Sequence, residues 1–230
     1  MNASYLVTGG TGGLGSAVCL EISARGEIPI IGCRSGRESE AAELARKCGG
    51  ESITLELSDT VSIDGTIATL SDRKSPMRGV VLAAAPPPVL ARFGQIENAD
   101  LEYAWRVSVL GSQTIVASLV KHCFRKQKAG SVVAILSAAM GDGERLPMKG
   151  MGAYTIAKFG LLGTIRLLEA EFPWLAVETI SPGFIETSML EIFDSRFMDP
   201  LRQQGMVSNP EDIAVEIVDK LLAPPSPRAE

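Results

Sequence analysis

Short runs of β-branched and apolar residues alternate with helix-length stretches along the whole chain. The runs fall at 5–7, 28–31, 53–57, 80–83, 132–136 and 177–180, and the helix-like stretches at 14–25, 39–47, 61–70, 100–121, 153–172 and 210–222. A strand that is apolar throughout has both faces buried, which a parallel sheet between two helix layers provides. The alternation therefore predicts an α/β fold, a single-domain doubly wound parallel sheet of the Rossmann type. At 230 residues the chain is long enough for one large core and short for two. One domain is expected over residues 1–223, followed by a Pro-rich tail over 224–230. Asn209 is the expected N-cap of the last helix, with Pro210, Glu211 and Asp212 in its first turn.

Directly after the first strand comes Thr8-Gly9-Gly10-Thr11-Gly12-Gly13-Leu14-Gly15, which opens a helix. Glycines at such a turn let backbone N–H groups approach a pyrophosphate at a helix N-terminus. Gly10, Gly12 and Gly15 alone would be a weak signal; a strand before and a helix after make it a nucleotide-loop candidate.

Composition removes other classes. Lys+Arg 22 against Asp+Glu 27 gives a net charge of −5, which argues against a nucleic-acid partner held through phosphates. No uninterrupted apolar run approaches the about 18 residues of a membrane span, and the N-terminus has no basic leader-like region. Cys19, Cys33, Cys48 and Cys123 form no CxxC pair, so reduced thiols in a cytoplasm are expected, with no metal site. A single histidine, His122, leaves little room for a Ser-His-Asp hydrolase.

The spacing of Thr8, Gly9, Gly13 and Gly15 resembles the T-G-x-x-x-G-x-G loop of the short-chain dehydrogenase/reductase family. Tyr154-Thr155-Ile156-Ala157-Lys158 is similar to that family's Y-x-x-x-K, and the stretch from Pro182 and Gly183 through Thr187 to Met189 to its P-G-x-x-x-T-x-M segment. The resemblance covers nearly the whole chain. It implies a nicotinamide cofactor held by Gly9, Thr11, Gly13, Leu14, Gly15, Arg34, Leu57, Ala84, Tyr154, Lys158, Pro182, Gly183, Ile185 and Thr187. It also implies a substrate lid around 187–208.

Cys33 falls where NAD enzymes of the family carry Asp, and no carboxylate lies between Glu27 and Glu38. Arg34, assisted by Arg37, can pair a 2′-phosphate, so NADP(H) is the expected cofactor. Tyr154 and Lys158 stand four apart on one helix face, where an ammonium can tune a phenol for acid/base work. The resemblance makes Tyr154 the proton donor and Lys158 a ribose ligand as well.

The family's orienting Ser, counted back from Gly141, falls on Ala138. Either a bulge turns Ser137 inward or the hydroxyl is missing. The family's helix Asn aligns with Ser108, and its N-N-A-G with Ala83-Ala84-Ala85-Pro86. The expected catalytic set is Tyr154, Lys158 and Ser137.

Met140, Met148, Met151, Met189, Met198 and Met206 cluster in the substrate-side segments and suit a plastic apolar cleft. The expected function is an NADP(H)-dependent interconversion of a ketone and a secondary alcohol, with a β-ketoacyl thioester as the first candidate substrate. A non-redox enzyme (dehydratase or cyclase) and a degenerate nucleotide-binding subunit are the alternatives. The apolar helix 153–172 points to a homo-oligomer, a dimer or tetramer.

Overall fold

A computed structural model describes residues 2–71 and 73–224; most of the Pro-rich tail lies outside the described residues. Six parallel strands form the main sheet: β1 (Ser4–Thr8), β2 (Ile28–Cys33), β3 (Glu51–Thr54), β4 (Met77–Leu82), β5 (Ser131–Ile135) and β6 (Ala176–Ile180). Their order is β3-β2-β1-β4-β5-β6, so the chain reverses direction across the sheet between β1 and β4. This is the doubly wound Rossmann sheet.

Side-chain alternation divides the core in two. Leu6, Val80, Leu82 and Val132 face one layer. It contains α3 (Thr60–Ser71), the long helical rod Asn98–Gln127 and α7 (Gly152–Glu171). Tyr5, Val7, Val81 and Val133 face the other, built from α1 (Gly13–Ala24), α2 (Glu38–Cys48) and α9 (Pro210–Leu222). All four cysteines are buried and free.

The rod comprises α4 (Asn98–Trp105), α5 (Ser112–Leu119) and a closing turn α6 (Arg125–Gln127), joined by π-helical segments at Arg106–Gly111 and Val120–Phe124. It runs past the expected end at 121, so His122 lies inside it. By length and composition it could cross a membrane, with mean hydropathy 1.2, but 61% of that window is buried in the protein. Ile115, Leu119 and Phe124 anchor it in the core.

Two local expectations need correction. The run 53–57 is strand only at its start: β3 spans Glu51–Thr54, paired with β2 from Ile30↔Glu51 to Cys33↔Thr54, and the Leu55 N–H adds one last bond to Cys33 O at 2.7 Å. Leu55 and Leu57 are buried past the end of β3. Asn209 does occupy the N-cap position of α9, but its side chain makes no capping hydrogen bond.

After β6 the chain makes an excursion through β7 (Phe184–Ile185), a 3₁₀ turn at Ser188–Ile192, α8 (Ser195–Gln203) and β8 (Val207–Ser208). β7 and β8 pair in parallel. Arg202 on α8 grips Glu186 with two hydrogen bonds of 2.9 and 2.8 Å. Asp194 caps α8 by accepting from the Arg196 N–H.

Candidate active site

In parallel α/β sheets ligands bind beyond the C-terminal strand ends, at the point where strand order reverses. A cavity of about 530 Å³ opens there, lined in part by the glycine loop, Arg34, Leu57, Ala84, Ser137, Tyr154, Lys158 and Pro182. Gly9, Thr11, Gly13, Leu14, Gly15, Gly183, Ile185 and Thr187 line it too, so the structure brings every sequence-expected site residue to one cleft.

The floor is the turn from β1 into α1. Gly12 occupies the N-cap of α1, and no side chain caps that end. The first N–H groups of the helix are thus left for a ligand, and the positive dipole end favours an anion. A Cβ on Gly15 would come within 2.2 Å of the Gly9 carbonyl oxygen, and one on Gly13 within 2.6 Å of Thr187 Cγ2. The loop packs too closely at both positions for a side chain. Thr8 ties it to the next strand. Its hydroxyl donates to Val81 O at 3.3 Å and accepts from the N–H groups of Ala83 and Ala84 at 3.1 and 3.2 Å. These bonds need only backbone from residues 83 and 84, so they survive the replacement of N-N-A-G.

Arg34 is exposed at the end of β2 and forms no ion pair among the described residues. Arg37 is committed: it donates to Thr11 O at 3.2 Å and pairs with Glu40. A glycine cradle, an uncapped helix start and a guanidinium one strand away fit a phosphorylated dinucleotide.

At the far end, β5 delivers Ser137 and α7 delivers Tyr154 and Lys158. Ser137 is extended (φ −162°, ψ 141°) and opens a 3₁₀ turn at Ala138–Met140. The additional residue before Gly141 is taken up in that turn, so no strand bulge is required. The Ser137 hydroxyl accepts from the Ala139 N–H at 3.1 Å and lines the same cleft as the Tyr154 phenol. Burial pushes the phenol pKa up, and the Ser137 hydroxyl partly opposes this. Lys158 is buried, donates to the Ile135 carbonyl at 2.6 Å, and has its pKa pulled down by burial to about 8. Its ammonium lies 5.5 Å from the Tyr154 ring centroid. Ser108 is buried in the first π-helical segment of the rod.

The methionines divide. Met148, Met151 and Met189 line the cleft, Met140 and Met198 are buried in the packing, and Met206 is exposed. The sequence reading missed Tyr103 and Phe193, which also line it. Tyr103 precedes the cleft residue Val107 by four, one helix face, which is a signal the sequence does carry. Phe193 offers none, since its position depends on how the excursion folds back.

The doubly wound sheet and its glycine-floored cleft define an α/β protein of the nucleotide-binding class. The short chain dehydrogenase family matches residues 4–196, and the chain belongs to that family of oxidoreductases, which use nicotinamide cofactors. It is 26% identical over 223 residues to the 3-oxoacyl-[acyl-carrier-protein] reductase of Aggregatibacter actinomycetemcomitans, covering 93% of this chain and 89% of that one. To the acetoacetyl-CoA reductase of Allochromatium vinosum it is 28% identical over 191 residues, covering 80% and 75%. Among solved structures, levodione reductase superposes with a TM-score of 0.82 at 18% identity, covering 95% of this chain and 90% of that one. A Brucella melitensis structure described as ribose-5-phosphate isomerase gives 0.85 at 24%, covering 96% and 86%. At these identities the structural likeness speaks for the fold.

Proposed function

We propose that the protein is an NADP(H)-dependent oxidoreductase that interconverts a ketone and a secondary alcohol, with a β-ketoacyl thioester as the first substrate to try. The observation that carries this reading is Tyr154 with buried Lys158 four residues on and Ser137 in the same cleft, which the glycine loop floors. Held by the glycine loop, Arg34 and Lys158, a reduced nicotinamide cofactor would supply hydride for the carbonyl carbon. Tyr154 gives its proton to the carbonyl oxygen, and Ser137 orients that oxygen. The raised phenol pKa keeps this proton in place through neutral pH, which suits the reductive direction. Four free, buried cysteines suit a reducing cytoplasm.

Ser137→Ala removes the orienting hydroxyl and should lower reduction by roughly 10²-fold, by analogy with losing one oxyanion donor. An unchanged rate would remove Ser137 from the catalytic set. Arg34→Ala should weaken NADPH binding by about 1.5–3 kcal/mol, as for a hydrogen bond to a charged group, and leave NADH little affected. Binding titrations showing equal losses for both cofactors would refute the NADP(H) assignment.

The helix α7 also supports a homo-oligomer. Leu161, Ile165 and Leu168 turn inward, while Phe159 (48% exposed) and Leu167 (60%) face outward, as do Trp105 and Leu110 on the rod. Trp105 packs over Gly160 of α7, so the two helices share this apolar surface. Light scattering at micromolar concentration should give at least twice the 24.4 kDa of one chain. A single-chain mass would overturn this.

A further inference from the structure

We propose that the substrate half of the cleft takes a neutral, apolar carbonyl compound and rejects ketones that carry a carboxylate or phosphate near the reacting carbon. This rests on the reading of Tyr154 as proton donor and adds the substrate's charge class to it.

Pro87, Met148, Met151, Met189 and Phe193 line the same cleft as Tyr154, with the Tyr103 ring among them. Phe193 is held by edge-to-face contact with Phe184, ring centroids 5.7 Å apart, and both pack on Phe197. The charged residues lining the cavity are Arg34, Arg37, Glu56 and Lys158. The first three belong to the β2–β3 side of the sheet. β2 and β5 are three strand steps apart, about 14 Å at ordinary strand spacing. Lys158 is on the reacting side; its ammonium donates to the Ile135 carbonyl, and in the proposed reading its remaining N–H groups serve the nicotinamide ribose.

An anion can also be held by backbone N–H groups, as at the glycine loop. In the substrate half many of those donors are taken. Ala138 donates to Pro182 O and Ala139 to Ser137 Oγ; Met148 donates to Ala139 O and Met151 to Met148 O. Leu190 and Phe193 donate to Thr187 O and Leu190 O. Pro86, Pro87 and Pro88 have no N–H to offer. Apart from Ser137 and Tyr154, the hydroxyls lining the cleft are those of Thr11, Tyr103, Thr187 and Ser188, all neutral. A carboxylate entering among these apolar side chains would lose water and find one cation, Lys158, which the proposed reading commits to the nicotinamide ribose, so its burial is unfavourable. Polarizable methionine side chains and aromatic faces favour an apolar body instead.

The test uses matched pairs that differ in charge: levulinate against ethyl levulinate, and benzoylpropionate against its ethyl ester. Each is assayed for NADPH oxidation by the full chain, and separately for its effect on the melting temperature of the protein with NADP⁺ present. The esters should show kcat/KM at least about 100-fold above the acids, and they alone should raise the melting temperature. Acids reduced within about tenfold of their esters, or stabilising the protein as well as they do, would overturn the proposal. So would the absence of any thermal response to the neutral ketones at millimolar concentration.

Met189→Lys places an ammonium in this half and should raise the acid-to-ester ratio by about tenfold or more; an unchanged ratio counts against the proposal. The two readings fail separately. Esters that stabilise the protein but are not reduced would defeat the redox reading and leave the charge selection standing. Reduction of acids and esters alike would do the reverse.

Discussion

Replacing Tyr154 by Phe should lower ketone reduction by about 10²–10⁴-fold while leaving NADPH affinity nearly intact, since a positioned general acid contributes that much. The substitution removes one oxygen and keeps the ring that packs near Lys158. The Ser137 hydroxyl keeps the Ala139 N–H as a partner, so the 3₁₀ turn at Ala138–Met140 should persist. A normal circular dichroism spectrum together with an unchanged reduction rate would defeat the mechanism whatever Ser137 does. Loss of NADPH binding would instead place the phenol in cofactor recognition.

The second large effect concerns Lys158, and it is read in stability. Burial pulls its pKa from 10.5 to about 8. Below pH 8 the folded protein therefore carries a buried ammonium that the unfolded chain holds in water, a penalty of about 3 kcal/mol from the size of the shift. As pH rises through 8 toward 10.5 the folded form sheds its proton first, so the penalty is relieved and this group's contribution improves. Lys158→Met removes the ammonium and this dependence with it.

The buried thiols act with the opposite sign. Burial holds Cys33, Cys48 and Cys123 above their ordinary pKa, so unfolding is favoured once the pH exceeds that of a free thiol. Both proteins share those cysteines, and the difference between their curves isolates Lys158. Wild type should gain about 2–3 kcal/mol relative to Lys158→Met between pH 7 and 10 in denaturant titrations. At pH 7 the variant should be close to wild type or somewhat more stable, because relief of the buried charge is offset by about 1–3 kcal/mol for the orphaned Ile135 carbonyl. Its NADPH affinity and its activity should both fall. Parallel stability curves would show that the ammonium is not buried as described.

The readable parts of the sequence were those in which local chemistry and tertiary demand agree. The glycine loop was legible because the turn from β1 into α1 needs those residues whatever surrounds it, and the fold because β1, β4 and β5 are apolar on both faces. The end of the run 53–57 misled because burial outlasts pairing: after the Leu55 N–H bond to Cys33 O the ladder stops, yet Leu57 is covered, past an edge strand whose own residues Glu51, Ser52 and Thr54 are exposed. The rod Asn98–Gln127 was longer than read because its π-helical segments shift the apolar period that marks a helix. Ser137 was undecidable by counting. Whether the additional residue before Gly141 sits in the strand or in the turn depends on the hydrogen bonds from Met140 to Ser137 O and from Gly141 to Ala138 O. Phe193 and the filled backbone donors of the substrate half exist only once the excursion between β6 and α9 has folded back.

The three prolines at 86–88 have a consequence of another kind. Their φ angles are fixed by covalent rings before the chain folds, so this wall has little conformational freedom left to surrender when a ligand arrives. A loop of ordinary residues at the same place would be ordered partly by its guest, and the guest's affinity would be reduced by that ordering. Here the loss falls on the unfolded chain, whose choices the rings had already narrowed. Whatever enters the cleft meets a surface already in its final shape on that side, and adaptation to the guest falls to the flexible methionines that line the same cleft.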